Sequence, residues 1–209
     1  MLLGAALSSG GCTMSYQEPP YTVVSQSGGV EYRRYEPCLI AETVVAGSAD
    51  FDSAGTEGFR RLFKYITGAN TSQSRIAMTV PVSQAAQSEK IVMTVPVQQV
   101  NAAGGWRVAF MLPKQYTIDT APSPTDPRIR VVAVAGKLTA VRRYSGRWTE
   151  SNYLGNRDEL VGILAAAGVR PLSEPRLARY NAPFSLPLLR RNEVLVDVDL
   201  VPGATPSGP

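Results

Sequence analysis

Ile76-Ala77-Met78-Thr79-Val80-Pro81-Val82 is repeated fifteen positions on as Ile91-Val92-Met93-Thr94-Val95-Pro96-Val97, with only Ala77 replaced by Val92. In each copy the first, third, fifth and seventh residues are apolar, the period-two signature of a half-buried strand. Ile76, Met78, Val80 and Val82 are therefore expected to face one interior, together with Ile91, Met93, Val95 and Val97. Pro81 and Pro96 fall on the opposite face, where each removes a ladder donor and belongs at a strand end, bulge or edge. The polar residues 83–90 return the chain, so the stretch reads as two antiparallel strands. Its methionines admit two readings: a duplicated structural hairpin, or a thioether-lined floor for a ligand, since Met suits adaptable apolar surfaces.

Working outward, strands are expected at 21–25, at 30–35 after the Gly28-Gly29 turn, and at 39–45. A helix follows. Asp50, Asp52 or Ser53 can cap it, Glu57 lies near its positive end, and Gly68 stops it. Phe59, Leu62, Phe63 and Ile66 share one face at i, i+3, i+4, i+7, with Arg60, Arg61 and Lys64 along the other side. That face suits core packing, and equally a flat aromatic ligand with acidic edges. Beyond the doubled phrase come strands at 106–112, 129–134 and 137–143, with a proline-rich loop over 113–127. A second helix is expected over 149–167, with Leu160, Val161, Leu164 and Ala165 as its buried stripe and Gly168 as its stop. Strands at 176–181 and 193–201 close the chain. The apolar loop between them carries Phe184, Leu186, Leu188 and Leu189, and such loops usually cover something. Each half of the chain thus holds one helix and a few strands. This predicts an α+β fold, a curved sheet or distorted antiparallel β-barrel of two pseudo-symmetric halves with a helix packed on each.

The chain has 209 residues, a net charge of +4 and no histidine. Without histidine, Ser-His-Asp and Cys-His catalysis, His-ligated zinc and a proximal-His haem are all excluded. The mild charge, with no dense basic block, gives no footprint for nucleic acid. Two cysteines, Cys12 and Cys38, show no metal spacing. Leu2, Leu3, Ala5, Ala6 and Leu7 ahead of Ser9-Gly10-Gly11-Cys12 resemble a bacterial lipoprotein signal, though the run is short, lacks a basic leader and has Ser9 where Leu is usual. In that reading Cys12 carries lipid, residues 13–20 are a tether, and the protein sits at the cell envelope or periplasm. The alternative is a disordered start on a cytoplasmic protein. Residues 21–201 form the single domain, and 202–209 a disordered tail.

Several motifs in this order resemble one family. They are Glu31-Tyr32-Arg33-Arg34-Tyr35-Glu36-Pro37, Tyr65-Ile66-Thr67-Gly68-Ala69-Asn70, the paired Met-Thr-Val-Pro-Val phrases and Phe110-Met111-Leu112-Pro113. Tyr144-Ser145-Gly146-Arg147-Trp148, Arg179-Tyr180-Asn181 and Arg190-Arg191-Asn192-Glu193-Val194 continue the pattern. From about residue 21 to 200 the chain resembles the SOUL haem-binding proteins. The resemblance implies a distorted barrel with two helices that binds haem or a related tetrapyrrole non-covalently in an apolar cleft, as a binding protein rather than an enzyme. It implies a site on the first helix, at Phe59, Arg60, Leu62, Phe63, Lys64 and Tyr65, and on the late loop, at Phe184, Leu186, Leu188 and Arg190. Carriage or buffering of haem is the role expected; binding of another amphipathic ligand, or of a protein, is the alternative.

The absence of histidine departs from one haem-binding mode of that family. Apolar burial and Arg or Lys contacts to propionates must then hold the ring. Tyr65 is the first candidate iron ligand by position, followed by Met78 and Met93; its other reading is a core-edge tyrosine with a hydrogen-bonded hydroxyl. Haem-modifying chemistry has only Glu57, Lys64 and Tyr65 to draw on, and no spacing singles them out. Arg190-Arg191-Asn192-Glu193 reads either as an internal salt-bridge clamp or as a ligand site.

Overall fold

The computed structural model describes residues 17–47, 50–72, 88–103 and 105–203. Cys12, the signal-like start, Met78 and the rest of the first copy of the doubled phrase, and residues 204–209 lie outside them. In chain order the elements begin with β1 (Tyr21–Ser27), β2 (Val30–Tyr35), β3 (Cys38–Ala46), α1 (Phe51–Ile66) and β4 (Asn70–Thr71). Then come β5 (Val97–Ala102), β6 (Gly105–Met111), β7 (Ser123–Pro124), β8 (Ile129–Val134) and β9 (Leu138–Tyr144). The chain closes with α2 (Glu150–Ala166), β10 (Arg176–Arg179), a 3-10 turn (Pro187–Leu189) and β11 (Asn192–Asp197).

Nine strands form one curled antiparallel sheet in the order β1-β2-β9-β11-β10-β5-β6-β3-β8, open between β1 and β8; β4 and β7 pair separately. The order encodes the pseudo-symmetry. The units β2-β3-α1-β5-β6 and β8-β9-α2-β10-β11 have the same plan, and they exchange their first strands: β2 pairs with β9, and β8 with β3. The symmetry axis falls between β5 and β10, which pair through Leu177 and Gln99.

Strand alternation divides the apolar residues between two faces. On β6, Val108 and Phe110 join Leu39, Ala41, Leu62, Tyr65 and Ile66 in a core beneath α1. Val194 and Val196 of β11 join Val30, Tyr32, Leu160 and Leu164 beneath α2. Phe51, at the start of α1, stacks on Tyr153 of α2 with ring centroids 5.5 Å apart, tying the halves together. Helix α1 starts where Asp50 accepts hydrogen bonds from the Asp52 and Ser53 amides. It lies close on the sheet because its inner face carries Gly55 and Gly58; a Cβ on Gly58 would stand 2.4 Å from Val108. No helix among the described residues is long and apolar enough to cross a membrane.

Three expectations need correction. The second copy of the doubled phrase is not a strand, since β5 begins only at its last residue, Val97. Pro96 has no donor for a ladder. The segment before it is held singly instead, by the Ile91 amide on the Ile66 carbonyl at 2.7 Å and the Val95 amide on Gln17 at 3.1 Å. Ile91 is nevertheless buried and Val92 exposed, so the inward alternation survives without the ladder. On α2, Val161 and Ala165 face solvent, and Tyr153, Leu160 and Leu164 are the buried residues. The 160/164 row continues one turn earlier through Asn156 to Tyr153, not forward through Val161. Finally, β11 stops at Asp197, whose carboxylate takes Arg176 and Lys137, and only Val198 extends it, by a single bridge to Pro171.

Candidate functional site

An open cavity of about 530 Å³ lies on the sheet face turned away from the helices. Ile40, Val100, Ala109, Met111, Val132 and Leu195 contribute apolar lining. Cys38 lies there as a free thiol, pushed up by burial although Arg176 draws it back. The cavity's cations and acids are largely matched: Arg176 and Lys137 hold Asp197 at 2.7 and 3.0 Å, and Arg107 faces Glu42 at 3.7 Å. Burial raises the Asp197 carboxyl, but Arg176 and Lys137 outweigh it and leave it below the usual range. None of the sequence-predicted site residues lines this cavity.

At the deep end of the same face sits a closed ionic cluster. Glu193, fully buried, accepts from Arg33 at 3.0 and 3.1 Å, from Arg191 at 3.0 Å and from the Tyr180 hydroxyl at 2.6 Å. Arg191 also holds Glu18 and stacks over the Tyr180 ring at 3.8 Å. For Arg191 the clamp reading of the Arg-Arg-Asn-Glu motif is therefore correct.

The helix residues of the predicted site divide by burial. Leu62 and Tyr65 are wholly buried against the sheet, and the Tyr65 hydroxyl donates to the Pro122 carbonyl at 2.8 Å. Burial pushes its ionisation well above the ordinary tyrosine value. The structure thus gives Tyr65 the core-edge role and not that of an iron ligand. Phe59 and Phe63 stack at 5.8 Å, Phe59 meeting Phe110 edge-on while Phe63 is 42% exposed. Arg60 and Lys64 are exposed, and Arg60 pairs with Glu57 at 3.1 Å. Met93 packs against the α1 core.

The late loop is the larger apolar surface. Phe184 is 91% exposed, Leu186 67%, Leu188 84% and Leu189 75%, so the loop covers nothing among the described residues. It is nonetheless tied down. Arg190 donates to the Ser185 carbonyl at 3.0 Å and to Pro183 at 2.7 Å, and the Gly146 amide donates to Pro187 at 2.9 Å. Arg190 also lies 4.3 Å over the Trp148 ring, and the Trp148 indole N–H donates to Asn192 at 2.7 Å. Arg179 approaches the same indole at 5.2 Å and Phe51 at 5.3 Å. Neither Trp148 nor Arg179 was singled out as a site residue by the sequence reading. One signal was available: alternation along β10 puts Arg179 with Leu177 on the helix-facing side, where an arginine is out of place.

A family model described as SOUL heme-binding protein matches residues 16–197. Heme-binding protein 1 of Xenopus laevis is 29% identical over 167 residues, 78% of this chain and 80% of that protein. Heme-binding protein 2 of Homo sapiens is 29% identical over 170 residues, 81% of this chain and 78% of that protein. Among solved structures, the C-terminal domain of EcmrR aligns with a TM-score of 0.55 at 11% identity, over 87% of this chain and 99% of that one, a likeness of fold alone.

Proposed function

The chain belongs to the SOUL heme-binding protein family, and from that premise we propose that it binds haem or a related tetrapyrrole non-covalently, as a carrier or buffer and not as an enzyme. The ring rests on the late loop, against Phe184, Leu186 and Leu188, with Arg190 at its edge. The observation that carries this reading is the exposure of those side chains on a loop whose base is fixed by Arg190. Contiguous exposed apolar surface on an ordered support marks a binding surface. Covering roughly 200–300 Å² of it contributes about 5–8 kcal/mol before association costs, short of the about 8 kcal/mol net that micromolar binding needs, so the other face of the ring and its acidic edge must supply the rest.

The donor set fits the ring and its acidic edge better than the iron. Histidine is absent and Tyr65 is committed to Pro122. Haemin and iron-free protoporphyrin are accordingly expected to bind with similar affinity, and ferric haem to lack a bis-histidine low-spin spectrum. An absorbance titration tests the assignment: Leu186→Asp with Leu188→Asp should abolish saturable binding, and unchanged binding in that variant would sink the loop site.

A second reading puts the same ligand inside the half-barrel, favoured by a 530 Å³ cavity whose size suits a small molecule. Ala109→Phe fills that space from β6 and separates the two: loss of binding here, with none in the loop variant, selects the cavity. For location we propose the cell envelope, with Cys12 lipid-modified as its flanking residues imply. A Cys12→Ser form that still partitions with membranes would refute that anchor.

A further inference from the structure

Arg179 is the unexplained charge in this fold. Among the described residues, its Nε and one Nη are buried with no hydrogen-bond partner, and no carboxylate forms an ion pair with it. Burial lowers its pKa, with the nearby Asp52 charge acting the other way through space. A guanidinium nonetheless stays protonated in proteins. Phe51 and Trp148 offer it ring faces, which attract a cation but accept no N–H bond. The residue as a whole is only half-buried, so part of Arg179 still reaches the surface, and a cation not spent on a carboxylate inside the fold is free to meet an acid from outside.

We propose that Arg179, with Arg190 beside it on Trp148, is the seat for a carboxylate of the ligand held on the late loop. This rests on the loop site assigned above. Arg190 spends Nε and one Nη on the Ser185 and Pro183 carbonyls, so its charge also meets no carboxylate. Two guanidinium groups then share one indole at the root of a loop presenting Phe184, Leu186 and Leu188. The combination selects an amphipathic carboxylate, its apolar body on the loop and its acid group against the part of the two guanidinium groups that reaches the surface. For a tetrapyrrole, that group is a propionate.

The test compares protoporphyrin with its dimethyl ester, in wild type, Arg179→Met and Arg179→Lys. Wild type should prefer the free acid by about tenfold, which corresponds to about 1.4 kcal/mol. Arg179→Met should erase the preference by weakening only the acid, and Arg179→Lys should restore part of it. The thermal midpoint of Arg179→Met should hold or rise, because an unpaired buried charge has been removed. A marked fall, with Arg179→Lys binding acid and ester alike, would show that Arg179 serves packing and would overturn the seat. A second arm uses dodecanoate against dodecanol, read as quenching of tryptophan fluorescence with Trp148→Phe as control. Porphyrin binding that ignores both the ester and Arg179 overturns the seat and leaves the proposed function standing. Arg179-dependent dodecanoate binding without porphyrin binding does the reverse. If neither acid probe depends on Arg179, the seat is wrong.

Discussion

Two arginine pairs, each joining a strand residue to one of the two residues before β11, differ in what they converge on: Arg33 with Arg191 on the buried Glu193 carboxylate, Arg179 with Arg190 on the Trp148 indole. Arg190 and Arg191 are adjacent, and the extended backbone at Arg190 sends their side chains apart. In the first pair every charge is answered. Burial works against the Arg33 cation, yet the Glu193 hydrogen bonds and charge outweigh it and raise its pKa above the ordinary value. In the second pair burial works in the same sense with no carboxylate bonded, and the Arg179 pKa is lowered. The same residue type thus marks a clamp in one place and the proposed seat of an acid in the other. The answered charge should govern stability, and the unanswered one should govern binding.

The contrast is most exposed at Glu193. Glu193→Ala would leave Arg33 with only Glu31 and Arg191 with only Glu18, and would take from the Tyr180 hydroxyl its acceptor. Breaking one side of a buried pair costs about 3–5 kcal/mol, so urea unfolding should show a loss of that size. A loss below about 1 kcal/mol would mean that the cluster clamps nothing. Tyr180→Phe removes one charge-assisted bond from the same cluster and should cost about 1.5–3 kcal/mol. In wild type the Tyr180 phenol, raised by burial and then by Glu193, should stay protonated through the range where exposed tyrosines ionise, read by absorbance at alkaline pH.

A smaller effect is expected at the other end of the inner face. The Asp197 carboxyl, raised by burial but lowered further by Arg176 and Lys137, titrates in the fold below its unfolded value. Its contribution is therefore complete above the unfolded pKa, near 4, and is lost as pH falls through the folded value. Unfolding free energy should decline below about pH 4, and Asp197→Asn should flatten part of that limb. A slope identical to wild type would assign the acid limb to other carboxylates.

How much of this was legible in sequence depended on whether local pattern or distant packing decided the outcome. Strands at 30–35 and 129–134 and the cap residue Asp50 follow from alternation and capping, both local. The exchange of β2 and β8 between halves is a long-range pairing with no signature within either segment. At Ile91–Val97 the alternation was correct and the ladder was absent, because Pro96 removes a donor and the partner carbonyls belong to Ile66 and Gln17. The apolar character of the late loop could be read directly, but not its exposure, since such a loop is expected to cover something. For Tyr65 the core-edge role was one of two readings, decided only by Pro122 far along the chain, and the role of Arg179 could not be read at all, since it depends on Phe51 and Trp148.

The smallest effect should come from Arg60, the cation that the family pattern puts beside the helix site. Its side chain is 62% exposed and is answered by Glu57 three residues earlier on the same helix, at 3.1 Å. An exposed helical pair of this kind contributes about 0.3–0.5 kcal/mol, because water and salt screen the attraction and two long side chains lose freedom to make it. Arg60→Ala should therefore shift unfolding free energy by no more than about 0.5 kcal/mol. It should also leave the preference for protoporphyrin over its dimethyl ester intact, because an arginine already holding a carboxylate gains little from exchanging it for another. Arg60 lies nine residues, or roughly 14 Å of helix, beyond Phe51 and the Arg179 seat. If Arg60→Ala erased the acid preference as Arg179→Met is expected to, the acid edge would be read on the outer face of α1, and the contrast between answered and unanswered arginines would no longer predict where the ligand binds.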